Sequence, residues 1–327
     1  MIYRTVSFVQ CDENMNTQSP QIPVGIANVG NTCFAGALLQ CLSTAPIPDN
    51  VGFKSGDALD RLVYSVQAQH SKQIMHIRTP LIREIFNTDL GLQGQQCPMQ
   101  FFTASCRKGG AVAASFDATI GEILKCGDCG VALNTPQISS ENYVQILTFN
   151  NDTKAQTLTA LILENVVSPP IEGYCPALHP RKNTTLVDRD GTSNSCTNRS
   201  GAFHVRYFST TLPPNLCFAF MSRTELSGSK NVRYFAPEHT MLLPEINTAS
   251  APNSHDTRAT QYSLFATLVH TGEGSQNGHF AAYVLRAGSW FFMDDEYGRL
   301  VDASTVTQPP PYQTIYMVFY RRVSQFH

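Results

Sequence analysis

No stretch of this chain is apolar over the roughly 20 residues that a membrane crossing needs. Charge of neither sign dominates: 23 Lys and Arg face 25 Asp and Glu, for a net charge of −2. That balance excludes the broad basic field expected of a nucleic-acid binder or of a protein drawn to anionic lipid. No internal repeat is visible, and no long segment has the apolar-poor composition of a disordered tail. Residues 1–14 are mixed polar and carry acids, which is not the pattern of a signal peptide. These absences lead us to expect an intracellular protein of the cytoplasm or nucleus, with neither nucleic acid nor membrane as a partner.

What is present is a sizeable apolar fraction. The 327 residues are 42% hydrophobic, enough for one large domain or two smaller ones. The ten cysteines are too few per residue, in too long a chain, for a small secreted disulfide scaffold. Reduced cysteines that serve catalysis or bind metal are the better expectation. Sequons at Asn151, Asn183 and Asn198 read as chance matches in an Asn- and Thr-rich sequence, because glycosylation needs a secreted context.

Texture changes along the chain. After an extended leader ending in Pro20 and Pro23, residues 25–125 read as mostly helical. Helices are expected from Cys33, over Leu59–Gln69, over Pro80–Asn87 and near Met99–Cys106. Short β pieces follow, at Tyr143–Phe149 and Thr157–Leu163. Residues 179–202 read as an exposed polar loop. From Phe203 onward strands dominate, with β-branched or aromatic runs at Gln261–His270, His279–Arg286, Ser289–Met293 and Gln313–Arg321. Helices first and strands afterwards predict an α+β enzyme with its site where the two layers meet.

One cysteine has a reactive setting. Gly30-Asn31 forms a turn, Thr32 is the natural N-cap, and Phe34, Ala37, Leu38, Cys41 and Leu42 repeat as one helix face. Cys33 therefore falls in the first helical turn, where N–H groups and the helix dipole favour a nucleophilic thiolate. A buried small hydrophobe is the bland alternative. A nucleophilic thiol needs a base and a group that orients the base. His279 opens a strand after Gly278, whose missing side chain lets another chain approach. Asp294 and Asp295 close the following strand. Counting the hairpin around Gly288 puts Asp294 opposite Ala282, so a bulge or bend is expected to bring it to His279.

These blocks resemble the Cys and His boxes of the ubiquitin-specific proteases, the USP family of deubiquitinases. The first match spans Gly25 to Leu42 and includes Asn28, Gly30, Asn31-Thr32-Cys33-Phe34 and Gln40. The second spans Tyr262 to Asp295, with His270, Gly272, Gly278-His279-Phe280, Tyr283, Trp290 and Asp294-Asp295. Weaker landmarks lie between and after them in the family's order: Phe116 to Cys129, Leu212 to Leu216, Phe235-Ala236-Pro237 and Tyr316 to Tyr320. The resemblance implies a papain-like fold with a helical thumb (about 24–115), β-rich fingers (about 116–211) and a palm (about 212–322), after a leader at 1–23. It implies a thiol isopeptidase that removes ubiquitin or a ubiquitin-like modifier after its terminal Gly-Gly. Cys33 would be the nucleophile, His279 the base, Asp294 its orienter, Asp295 a second polar group and Asn28 the oxyanion donor, a role worth about 3 kcal/mol. Gln40, Gln96, Gln100, Gly278 and Tyr283 would bind substrate, and catalysis would require no cofactor.

Two departures stand out. The family's finger zinc uses two CxxC pairs. Here Cys126 and Cys129 form the first, but the second has Cys175 and then Leu178. His179 or Cys196 would complete the site, or the metal is lost. The family's helix that faces the basic modifier tail carries acids where this chain has Cys97 and Gln100. An uncharged groove loses complementarity to arginines, so a SUMO-type modifier is an alternative to ubiquitin. A USP-like binding scaffold without turnover is another.

Overall fold

A computed structural model describes residues 21–47, 57–68, 74–76, 96–130, 132–133, 137–139, 142–149, 153–166, 175, 186–187, 201–208, 212–222, 235–245, 258–272 and 278–323. The helix expected at Pro80–Asn87, the three sequons, His179 and Cys196 lie outside them.

The molecule is built on an eight-stranded sheet. In spatial order, seven strands run Tyr297–Val301, Ser289–Asp294, His279–Arg286, Arg258–Thr271, Gln313–Arg322, Asn215–Ser222 and Gln145–Phe149. Thr240–Glu245 pairs further along Arg258–Thr271. Neighbours are antiparallel except the last two of the seven, which are parallel. Both faces are covered, and alternation along the histidine strand shows it. Phe280, Ala282 and Val284 pack toward the helices, while Ala281 and Tyr283 pack into a second apolar layer behind the sheet.

The helix Cys33–Leu42 lies against the histidine strand. Its sequence reads as amphipathic, yet all ten residues are buried. Helices Ala58–Ala68 and Pro98–Cys106 cover the side that would otherwise face water. A helix apolar on every side is an interior element, so the thiol rests on a rigid support.

A second, five-stranded sheet centres on Ile120–Cys126, flanked by Gln137–Ser139, Ala132–Leu133 and Ala202–Phe208. The expectation of a strand at Thr157–Leu163 is corrected: this segment belongs to the helix Leu158–Val166. Thr157 Oγ1 accepts the Ala160 N–H, as an N-cap does, and Glu238 accepts the Thr159 N–H from across the chain. Leu158 and Leu161 then bury one helical face. Leucine and isoleucine serve either element, and the cap and its distant partner decide. Among the described residues no helix is long and apolar enough to cross a membrane, and no cysteine is in a disulfide.

Candidate active site

Cys33 is the first residue of its helix and is 4% exposed. Gly30 and Asn31 both take left-handed conformations, at φ 66 and 58, and reverse the chain just ahead of it. Glycine and asparagine are the residues that tolerate this backbone. Thr32 is the N-cap, as expected, but its side chain makes no capping hydrogen bond to the helix. Its hydroxyl instead accepts the Val29 N–H at 2.9 Å, while Asn28 Oδ1 accepts the Thr32 N–H at 3.1 Å. The pair closes a small loop that fixes Asn28 relative to the thiol.

His279 begins its strand, and its side chain hydrogen-bonds to Cys33. Its Nε2 lies 2.5 Å from Asp294 Oδ1 and 3.7 Å from Asp295 Oδ2. With Nε2 committed to the carboxylate, Nδ1 is the nitrogen left for the sulfur. The hydrogen bond to Cys33 is the main influence that raises the His279 pKa to about 9. Partial burial opposes it, and Asp294 and Asp295 add to the rise.

The expected bulge is absent. Arg286 pairs with Ser289 around a two-residue turn, Ala287-Gly288, with φ 47 and 79. Both residues are left-handed, as hairpins of this kind require. The ladder then pairs Ala282 with Met293, not with Asp294. Asp294 is next along, opposite Ala281, and so on the same face as His279. The two are diagonal neighbours, within reach of an imidazole and a carboxylate.

Asp295 follows at φ 48. Its carboxylate accepts from Asn28 Nδ2 at 3.0 Å, and its carbonyl accepts from the Ile26 N–H at 2.8 Å. Partial burial is the main influence raising its pKa, against the Asn28 hydrogen bond. The amide of Asn28 is thus held at both ends. One of its two N–H bonds is spent on Asp295, leaving the second to receive another acceptor.

The structure separates the remaining candidates. Gln40 is corrected from a substrate contact to a buried brace, 2% exposed, that donates to the Val24 carbonyl at 2.6 Å. Tyr283 is corrected likewise. It is fully buried, with its hydroxyl on Gln313 Oε1 at 2.6 Å and its ring against Phe292. Burial pushes its pKa up to about 12. Gly278 makes room for its own chain: a Cβ there would lie 2.6 Å from His270 Cε1. Gln96 is half-buried and Gln100 exposed at the start of the helix Pro98–Cys106. Between them, Cys97 Sγ lies 3.0 Å from the Tyr316 hydroxyl. Neither the contact of Tyr316 with Cys97 nor that of the Val24–Ile26 segment with Asp295 is legible in the sequence. Gly25 was the available clue, because a Cβ there would lie 2.6 Å from the Glu296 carbonyl carbon.

In the smaller sheet, Cys126, Cys129 and Cys175 bring their sulfurs within 4.8 Å of one another. Cys129 and Cys175 are 3.7 Å apart. Zn–S bonds of about 2.3 Å in a tetrahedron put sulfurs about 3.8 Å apart, so the Cys129–Cys175 spacing suits two zinc ligands, with the Cys126 sulfur close enough to be a third.

A family model described as ubiquitin carboxyl-terminal hydrolase matches residues 100–320. That span contains His279 and Asp294 and begins after Cys33. Ubiquitin carboxyl-terminal hydrolase 26 of Oryza sativa subsp. japonica is 22% identical over 307 residues, covering 85% of this chain and 26% of the relative. Ubiquitin carboxyl-terminal hydrolase 17-like protein 12 of Homo sapiens is 25% identical over 341 residues, covering 95% of this chain and 58% of the relative. The chain therefore spans only part of the length of these relatives. The solved SAGA Ubp8/Sgf11/Sus1/Sgf73 DUB module bound to ubiquitin aldehyde has the same fold, with a TM-score of 0.63 at 15% identity over 92% of this chain and 70% of that chain.

Proposed function

We propose, from the premise that this chain belongs to the ubiquitin carboxyl-terminal hydrolase family, that it hydrolyses the bond after the terminal glycine of ubiquitin in its conjugates. Its papain-like fold would divide into thumb, fingers and palm at the boundaries given above. The observation that carries the reading is the continuous contact from Cys33 through His279 to Asp294.

An imidazole that keeps its proton to about pH 9 enters the cycle as an acid. It stands beside the sulfur as the counter-charge of a thiolate. The thiolate attacks the glycine carbonyl, and the C=O electron pair moves to oxygen. The free N–H of Asn28 receives that oxyanion. Collapse expels the amine, which takes the proton from His279 and leaves a thioester on Cys33. His279, now neutral, removes a proton from water, which attacks the thioester. Cys33 leaves as thiolate, and the modifier departs with a free carboxylate. Asp294 holds the ring through both stages and balances its charge.

The relatives reported are named for ubiquitin, and SUMO gains no support from them. Parallel assays with ubiquitin and SUMO fused to a C-terminal fluorophore test the reading. Release from ubiquitin alone is expected. Release from SUMO alone, or from neither, would contradict it.

Zinc in the fingers is proposed with Cys126, Cys129 and Cys175 as ligands. The strand Ile120–Cys126 and the turn after it hold the first two, with Gly127 N–H on the Gly201 carbonyl at 2.8 Å. Such an ion would tie the finger loops together and take no part in the reaction. Metal analysis of the purified protein is expected to give one zinc per chain. Loss of that zinc in the Cys126→Ser variant, with a lower melting temperature, supports the site; a metal-free wild type would rule it out.

A further inference from the structure

Pro23 to Ala27 are buried, and the chain emerges at Asn28. Val24 and Ile26 bury their side chains in the core, and hydrogen bonds fix the backbone between them. Gln40 Nε2 donates to the Val24 carbonyl. The Met75 N–H donates to the Gly25 carbonyl at 2.8 Å, and the Ile26 N–H to the Asp295 carbonyl at 2.8 Å. Gly25 presses on Glu296 so closely that no side chain fits. One short arm thus joins the nucleophile helix, the neighbouring strand and the turn that carries Asp295.

Gln40 is the helix's own hold on the arm. It lies seven residues after Cys33, two turns along, and so on the same helical face as the thiol. Its cost is visible. Oε1 is buried with no hydrogen-bond partner among the described residues, an expense that an apolar side chain of the same length would avoid. An amide kept in an apolar helix at that cost is best explained by the one bond it makes.

We propose that Gln40 is a positioning residue: by gripping the Val24 carbonyl it sets where the arm delivers Asn28, and hence where the amide N–H meets the oxyanion. Gln40 touches no substrate and acts through Asn28. The inference rests on the acyl-transfer reading above.

Gln40→Met in the full chain tests it, with Gln40→Leu as a second variant should methionine fail to accumulate. Two rates are compared. Hydrolysis of a ubiquitin–fluorophore substrate passes through an oxyanion. Alkylation of Cys33 by iodoacetamide does not: sulfur bonds to carbon, the C–I bond breaks and iodide leaves. Hydrolysis is expected to lose about 10- to 100-fold in kcat. KM, the alkylation rate and the melting temperature should stay near wild type. In an Asn28→Ala background the same substitution should cost little more, because the donor it positions is already gone. Wild-type kcat in Gln40→Met would overturn the proposal. So would an equal loss with or without Asn28, or a parallel loss of alkylation and melting temperature, which would mark Gln40 as structural only. If the wild-type chain hydrolyses none of the modifier substrates, the functional reading fails first and takes this inference with it.

Discussion

Cys33→Ala is expected to abolish turnover, by about 10^4-fold or more, as loss of a nucleophile does in comparable machinery. Folding should survive, because alanine replaces a buried thiol on an interior helix with little change in volume. A second effect separates this account from one in which Cys33 is merely packed. The first cause of the raised His279 pKa is its hydrogen bond to Cys33. Removing the sulfur should therefore lower that pKa from about 9 toward the ordinary value of 6.5, leaving only the carboxylates to hold it up. Histidine NMR titration reads this directly.

The sign carries over to stability. A group whose pKa is raised on folding stabilises fully below its unfolded pKa and loses that contribution as pH climbs through the folded one. For His279 the window runs from about pH 6.5 to about 9. Wild type should lose stability across it, and Cys33→Ala should show a shallower decline. Unchanged titration of His279 in the variant would mean that the thiol and imidazole are not coupled.

Gly278→Ala is expected to be damaging as well, although glycine does no chemistry. Gly278 sits at φ 156, a conformation that side-chain-bearing residues rarely adopt. An alanine Cβ would also collide with the His270 ring and the Thr271 carbonyl. His270 has nowhere to go: it is 3% exposed and its ring lies 4.6 Å from Phe280. The strand start must move, and His279 moves with it. A displacement near 1 Å costs about 100-fold in rate, and strain of this kind costs about 1–3 kcal/mol in stability. Chemical denaturation measures the second, and kcat/KM the first. If activity and stability both stay at wild-type levels, the tight packing of Gly278 is not what places the histidine.

How much of this was legible in the sequence depends on how local the information is. Cys33 and His279 announce themselves because each sits in a short block whose turn and element residues are contiguous. The α+β layering followed from the order of periodicities. Asp294 was legible as a residue but not as a position. Its face depends on a two-residue turn at Ala287-Gly288, and alanine is not a residue that advertises a left-handed turn. One residue of register decides which face a strand residue takes, so counting put Asp294 on the wrong one. Gln40 and Tyr283 were misread for a different reason. The family resemblance implied substrate contact for both, and only tertiary packing reveals that both are turned inward. The helix at Leu158–Val166 was misread because its N-terminus is satisfied by Glu238, which is 79 residues from Thr159 in the chain.

The family match covers the histidine and the acid but begins after Cys33, so the nucleophile is the point on which the account turns. Intact-mass measurement after incubation with ubiquitin bearing a C-terminal electrophile tests it most directly. The account predicts a single adduct, mapped by peptide digestion to Cys33 and absent from Cys33→Ala. An adduct that persists in that variant, or no adduct on the wild-type protein, would contradict it.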